Sequence, residues 1–124
     1  MSTPLIDLSY LQALSGNDSN YMFDVLNLFM DTVAEGLGNL KHLIRNTGDY
    51  EAIRKQAHSL KSATSIIQVS DMYNDVKEIE MLAVQRAALP QMEERLNRMF
   101  ANFNEALPHL QEERDRNKPK TDRI

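Results

Sequence analysis

The sequence predicts an all-α protein: an antiparallel up-down four-helix bundle with a short additional helix at its N-terminus. Three observations carry that prediction. Apolar residues recur every three or four positions along most of the chain. Glycine and proline number only four each, against seven methionines and many Leu, Ala, Glu and Gln. There is no Asn-Gly or Asp-Gly hairpin signal, and the β-branched residues are scattered, so no strand is expected.

Thr3-Pro4 suits a cap followed by proline in the first helical turn, and Gly16 suits the end of that short first helix. The segment NDSN, residues 17–20, offers the next cap. Met22, Val25, Leu26, Phe29, Val33, Leu37, Leu40 and Ile44 then mark a long second helix to about residue 46. Gly36 and Gly38 interrupt it at a cost of roughly 1 kcal/mol each against alanine. A close helix approach would account for them. Gly48 suits a stop and Asp49 a restart.

The third helix is expected over 50–67. Ser70-Asp71 can cap a fourth, with the stripe Val69, Met72, Tyr73, Val76, Ile79, Ala83 and Ala87. Leu89-Pro90 breaks the pattern. The fifth helix carries Met92, Leu96, Met99, Phe103, Leu107 and Leu110, and Pro108 is expected to kink or end it. Residues 1–110 thus form one bundle domain. The segment QEERDRNKPKTDRI, residues 111–124, is charged, nearly devoid of apolar residues, and expected to be a disordered tail.

Bulk composition narrows the function. A chain of 124 residues suits one domain with a moderate core. It contains no cysteine, which suits a reducing cytoplasm. No apolar run approaches the ~18 residues of a membrane span, and MSTPLIDLS lacks a signal-peptide pattern, so a soluble, untargeted protein is expected. The net charge of −4 and a pI near 5.3 argue against nucleic acid as the main partner.

The third helix carries the chemistry. At about 100° per residue, Ile53, Ala57, Leu60, Thr64 and Ile67 share one side and should face the core. His58 lies nearly opposite. Arg54, Ser62 and Ser65 fall within about 40° of it and Lys61 about 60° away. A neutral imidazole is a good nucleophile, and histidine's ordinary pKa near 6.5 leaves that form abundant at pH 7. Arg54 and Lys61 would disfavour a further positive charge on the ring and can hold phosphoryl oxygens. Ser62 and Ser65 leave room for an incoming partner. No carboxylate is expected nearby to build a triad, and no glycine-rich loop to hold a nucleotide. The plainer reading is that His58 is an exposed residue on a solvated face, and the wheel alone does not overturn it.

The stretch AHSLKSATSIIQV, residues 57–69, resembles the signature of histidine-containing phosphotransfer (HPt) domains: His, any residue, Leu or Phe, Lys, Gly, two small residues, then apolar, Gly, apolar. His58, Leu60, Lys61, Ala63, Thr64, Ile67 and Val69 match it. DLSYLQALSGNDSNYMFDVLNLFMD, residues 7–31, is similar to the family's opening, and VKEIEMLA, residues 76–83, to its next helix. About residues 7–107 are covered. The resemblance implies a phosphorelay intermediate without an ATP site of its own. His58 would accept a phosphoryl group on Nε2 from one response-regulator receiver domain and pass it to the aspartate of another, with a hybrid sensor kinase upstream. Lys61 would help hold the phosphoryl oxygens, and Ile66 would help dock the receiver. The chain would be a cytoplasmic monomer without metal, the Mg2+ belonging to the receiver.

Two positions depart from the family. Its glycine four residues after the histidine is Ser62 here, the smallest polar substitute. Its later glycine is Gln68, roughly 15 Å along the helix from His58, where an effect on the helix end is expected rather than on chemistry. These departures keep open a second reading, a silent module that docks receivers or another helical partner without transferring phosphate.

Other histidine chemistries fit less well. His42 and His109 are expected at boundary or solvated positions. Asn39, Lys55 and Ala106 precede the three histidines by three residues, so the Glu-x-x-His pairs of di-metal bundles are absent. Ser59 follows His58 and no proline occurs between Pro4 and Pro90, unlike the dimerisation helices of sensor kinases. Glu78, Glu80, Glu93 and Glu94 are expected on solvated faces.

Overall fold

Local signals at residues 48–52 show how the chain partitions itself. Gly48 takes a left-handed φ of 62°, and the Asp49 side chain accepts the Ala52 N–H at 3.1 Å. One helical stretch therefore ends, and the next begins, within two residues. The structure is a computed structural model and describes residues 5–119. Its α-helices are α1 (Ser9–Ser15), α2 (Ser19–His42), α3 (Tyr50–Ile66), α4 (Met72–Val84) and α5 (Leu89–Arg116). Asp18 caps α2 by accepting the N–H groups of Asn20 and Tyr21. Past His42, α2 widens into a π-helical turn, Leu43–Thr47.

The helices close around one core. The α3 stripe Ile53, Ala57, Leu60, Thr64 and Ile67 is buried, as its spacing requires. It meets Leu26, Val33, Leu37 and Leu40 of α2, Val76 and Ile79 of α4, and Leu96, Met99 and Phe103 of α5. Contacts link α2 with α3 and α5, and α4 with α3 and α5. Asn39 donates to Gln56, whereas Phe29 shares a groove with Ala63, so α2 and α3 run in opposite senses. Likewise Arg45 meets Glu93 while Asn27 meets Arg114, which sets α2 against α5. Gly36 is buried where α2 and α3 approach; a Cβ there would lie 2.6 Å from Leu60 Cδ2. Gly38 faces open space and serves no such approach. No helix among the described residues is long and apolar enough to cross a membrane.

Several sequence expectations are corrected. The first helix begins at Ser9; the Thr3-Pro4 cap lies outside the described residues. Ahead of it Ile6–Asp7 (β1) pairs antiparallel with Gln68–Val69 (β2), so the chain does contain a strand pair. Two residues are too few to print an alternation, and the pair is held by burial of Val69 beside half-buried Ile6. Val69 therefore belongs to β2 and not to the fourth helix. The Asp71 side chain makes no capping bond. Tyr73 is only half-buried, with Lys77 over its ring at 5.5 Å. Ala87 lies beyond the end of α4, in a turn where Arg86 and Ala88 take positive φ. Pro90 sits in the first turn of α5, where its missing N–H costs nothing.

Pro108 does not end α5, which runs on to Arg116. The carbonyl deprived of its donor, that of Asn104, belongs to an exposed position where water can bind it. Ala106 and Leu110 are fully buried on either side, and Arg114 donates to Asn27 Oδ1. Residues 111–116 are thus helical rather than a disordered tail, because tertiary contacts hold them.

Candidate functional site

His58 follows the buried Ala57 by one residue, so the same helical phase that buries Ala57 turns the imidazole outward. Its side chain is 62% exposed. Nδ1 lies 2.8 Å from Oε2 of Glu80, on α4. Oε1 of the same carboxyl receives Lys61 Nζ, also at 2.8 Å. His58 and Lys61 are three residues apart on α3 and share the side that meets α4. Glu80 follows the fully buried Ile79 and reaches them from the edge of the seam.

The electrostatics assign the proton. The hydrogen bond from Lys61 holds the Glu80 carboxyl below its usual range, and that from His58 adds to it, against partial burial. The ammonium of Lys61 is raised in turn, first by its bond to Glu80. An ionised carboxylate only accepts, so Nδ1 carries the hydrogen. The lone pair of the neutral ring is then on Nε2, on the side away from Glu80. Sequence reasoning expected no carboxylate here and placed Glu80 on a solvated face. The structure corrects both, because α3–α4 pairing is a tertiary event. The one local signal was that Glu80 adjoins the apolar stripe of its helix.

The remaining predicted site residues are distributed unevenly. Arg54 does not turn to His58; its Nε and Nη2 donate to both carboxyl oxygens of Glu51, one turn away on the same helix. Ser65 is occupied locally, its Oγ donating to the Ser62 carbonyl at 2.7 Å. Ser62 and half-buried Ile66 line a groove of about 210 Å³ between α3 and α2. Its other wall is Val25, Leu28, Phe29 and Thr32. Leu28 is 66% exposed, and its departure from the α2 core stripe was the sequence signal for this wall. His42 and His109 are exposed, as expected. Among the described residues no three His, Cys, Asp or Glu are grouped to hold a metal ion. A larger cavity of about 610 Å³, between residues 5–12 and the end of α5, contains none of these residues except His109.

The model of the family described as Hpt domain matches residues 24–115. The chain belongs to the Hpt domain family. Membership assigns it to histidine phosphotransfer in two-component phosphorelays, and so to interaction with receiver domains and sensor kinases. Hpt domains are phosphocarriers. A search of the curated proteins and a search of the solved structures each found no match. The matched span includes His58, Lys61 and Glu80, whereas β1 and α1 lie before it.

Neither departure from the family signature falls at a left-handed backbone position. Gln68 is extended and pairs with Asp7, and the left-handed residue of that corner is Ser70, at φ 46°. No backbone conformation at 68 calls for glycine. Ser62 is exposed and lines the α2–α3 groove.

Proposed function

We propose that His58 is the phosphoacceptor of this Hpt domain and that it relays a phosphoryl group between receiver-domain aspartates. The observation that supports this reading best is the Glu80 contact: it holds the hydrogen on Nδ1 and leaves Nε2 nucleophilic and open to solvent. In the first half-reaction Nε2 attacks the phosphorus of an aspartyl phosphate. The N–P bond forms, the acyl P–O bond breaks, and the aspartate carboxylate departs. The ring becomes cationic and keeps its Nδ1 proton, which Glu80 stabilises. The second half-reaction reverses these steps on another receiver. Lys61, beside the ring, holds phosphoryl oxygens. Mg2+ belongs to the receiver, and Arg54 contributes field rather than contact, being bound to Glu51.

The groove bearing Ile66 and Leu28 receives an apolar surface of the receiver. We read the ring of α2, α3, α4 and α5 as the up-down antiparallel arrangement, which makes α3 and α4 neighbours and brings Glu80 to His58. Incubation with a receiver phosphorylated on aspartate tests the reading. Wild type is expected to gain acid-labile, base-stable phosphate, and His58→Gln none. Equal labelling of His58→Gln, or no labelling of wild type by any cognate receiver, refutes it and leaves a silent docking module.

A further inference from the structure

Helix α3 carries four serine and threonine hydroxyls, those of Ser59, Ser62, Thr64 and Ser65. A hydroxyl within a helix is commonly returned to a carbonyl one turn back. Thr64 Oγ1 donates to the Leu60 carbonyl at 2.9 Å, and Ser65 Oγ donates to that of Ser62 at 2.7 Å. Among the described residues the Ser62 hydroxyl makes no such bond, to the His58 carbonyl or to any other group. Ser62 is exposed, and its donor is unclaimed by the fold.

Two contacts fix where that donor stands. Around the axis of α3, Lys61 lies about 60° to one side of His58 and Ser62 about 40° to the other. Lys61 is on the α4 side, since it binds Glu80. Ser62 is on the α2 side, since it lines the groove with Leu28 and Phe29. The imidazole turns its Nδ1 edge to α4, with Glu80 Oε2 at 2.8 Å. Nε2 is on the opposite edge of the five-membered ring, beside Cδ2, so it opens towards the Ser62 side. Ser62 follows His58 by four residues, which puts their Cβ atoms about 5–6 Å apart.

Resting on the phosphoacceptor reading of His58, we infer that the Ser62 hydroxyl donates a hydrogen bond to the phosphoryl group carried on Nε2 and so stabilises the phosphorylated state of this chain. That group presents three strong acceptor oxygens. Lys61 meets it as a cation from the α4 side, and Ser62 as a neutral donor from the α2 side. A hydrogen bond to an ionised acceptor is the stronger kind, even after exchange with water. The family signature has glycine here, and glycine has no side-chain donor to offer. The bond exists only while the phosphoryl group is on His58. It therefore favours the phosphorylated chain over the free one, and it sets how much phosphate rests on His58 after exchange with a receiver aspartate.

The test is an equilibrium, because Ser62 also lines the groove. A residue that only helps a receiver dock speeds transfer in both directions alike. It leaves the equilibrium constant between phosphohistidine and aspartyl phosphate unchanged. The full chain is mixed with a receiver labelled on its aspartate, at concentrations where little complex persists, and label on each protein is followed to a constant ratio. Ser62→Ala and Ser62→Gly are each expected to shift that constant away from His58 about three- to tenfold. Ser62→Thr, which keeps the hydroxyl, should stay near wild type. An unchanged constant in Ser62→Ala overturns the inference, and a fall in rate alone makes Ser62 a docking residue. A constant in Ser62→Gly that moves towards His58 also overturns it, since the side chain then obstructs the phosphoryl group. So does a loss in Ser62→Thr as large as that in Ser62→Ala. If wild type takes no label, or His58→Gln takes as much, the phosphoacceptor reading fails before any Ser62 variant is compared, and this inference falls with it.

Discussion

The Glu80 carboxylate lies 2.8 Å from His58 Nδ1, across the seam between α3 and α4. That contact divides the imidazole into a held nitrogen and a free one. Replacing Glu80 with alanine should leave both tautomers populated and the developing imidazolium unsupported. A charge-assisted bond at a half-open position is worth about 1.5 kcal/mol, so phosphoryl uptake should fall about tenfold. Glu80→Gln, which still accepts from Nδ1 but carries no charge, should fall between. Nitrogen-15 spectra of His58 check the tautomer independently of activity. Lys61→Ala should also slow transfer, with helical content and melting nearly unchanged.

The same cluster predicts a pH window for stability. Folding lowers the Glu80 carboxyl from 4.5, so its contribution is present above that value and is lost as pH falls through the lowered one. Folding raises the Lys61 ammonium from 10.5, so its contribution is present below that value and is lost as pH rises through the raised one. The difference in melting temperature between wild type and Glu80→Ala should therefore be flat from about pH 6 to about pH 9 and shrink beyond either end. A difference that instead vanishes at neutral pH would contradict this assignment.

Two glycines on α2 should respond with opposite signs. A Cβ on Gly36 would meet Leu60 Cδ2 at 2.6 Å and Cγ at 2.9 Å, and Leu60 is buried. Overpacking costs about 1–3 kcal/mol, more than the ~1 kcal/mol of helix propensity that alanine returns. Gly36→Ala should thus lower the urea midpoint. Gly38→Ala meets nothing within 4 Å and should raise it by about 0.5–1 kcal/mol of stability.

Asp75 on α4 is fully buried and is bound by Arg95 Nη1 at 3.1 Å and by Arg98 through Nε and Nη2. Arg98→Ala should cost about 2 kcal/mol, below the usual figure for a broken buried pair because Arg95 remains and Arg98 is half exposed. In an Asp75→Asn background the same substitution should cost much less, since no buried charge is left stranded. Urea denaturation of the four proteins closes the cycle.

What was legible in the sequence was local. The α3 stripe from Ile53 to Ile67, the stop at Gly48 and the cap at Asp49 depend on neighbours within a few residues, and each is where the pattern put it. The partners that needed tertiary pairing were not legible. Glu80 is 22 residues from His58, and nothing along α4 says which helix its edge will meet. The β1–β2 pair joins Ile6 to Val69 through only two residues per strand. Proline at 108 argued for an end, and the buried Leu110 with the Arg114–Asn27 bond outweighed it. The groove lay between these cases: Leu28 stood visibly off its stripe, yet only the packing of α2 on α3 set it opposite Ile66.

The notch at Gly36 bears on more than stability. Leu60 seats in it two residues beyond His58, so the groove of one helix indexes the azimuth of the other. A turn of α3 by one residue, about 100°, would unseat Leu60 and swing the imidazole away from Glu80. The direction in which Nε2 points is therefore set from behind, by a keyed joint on the face of the helix that solvent never reaches.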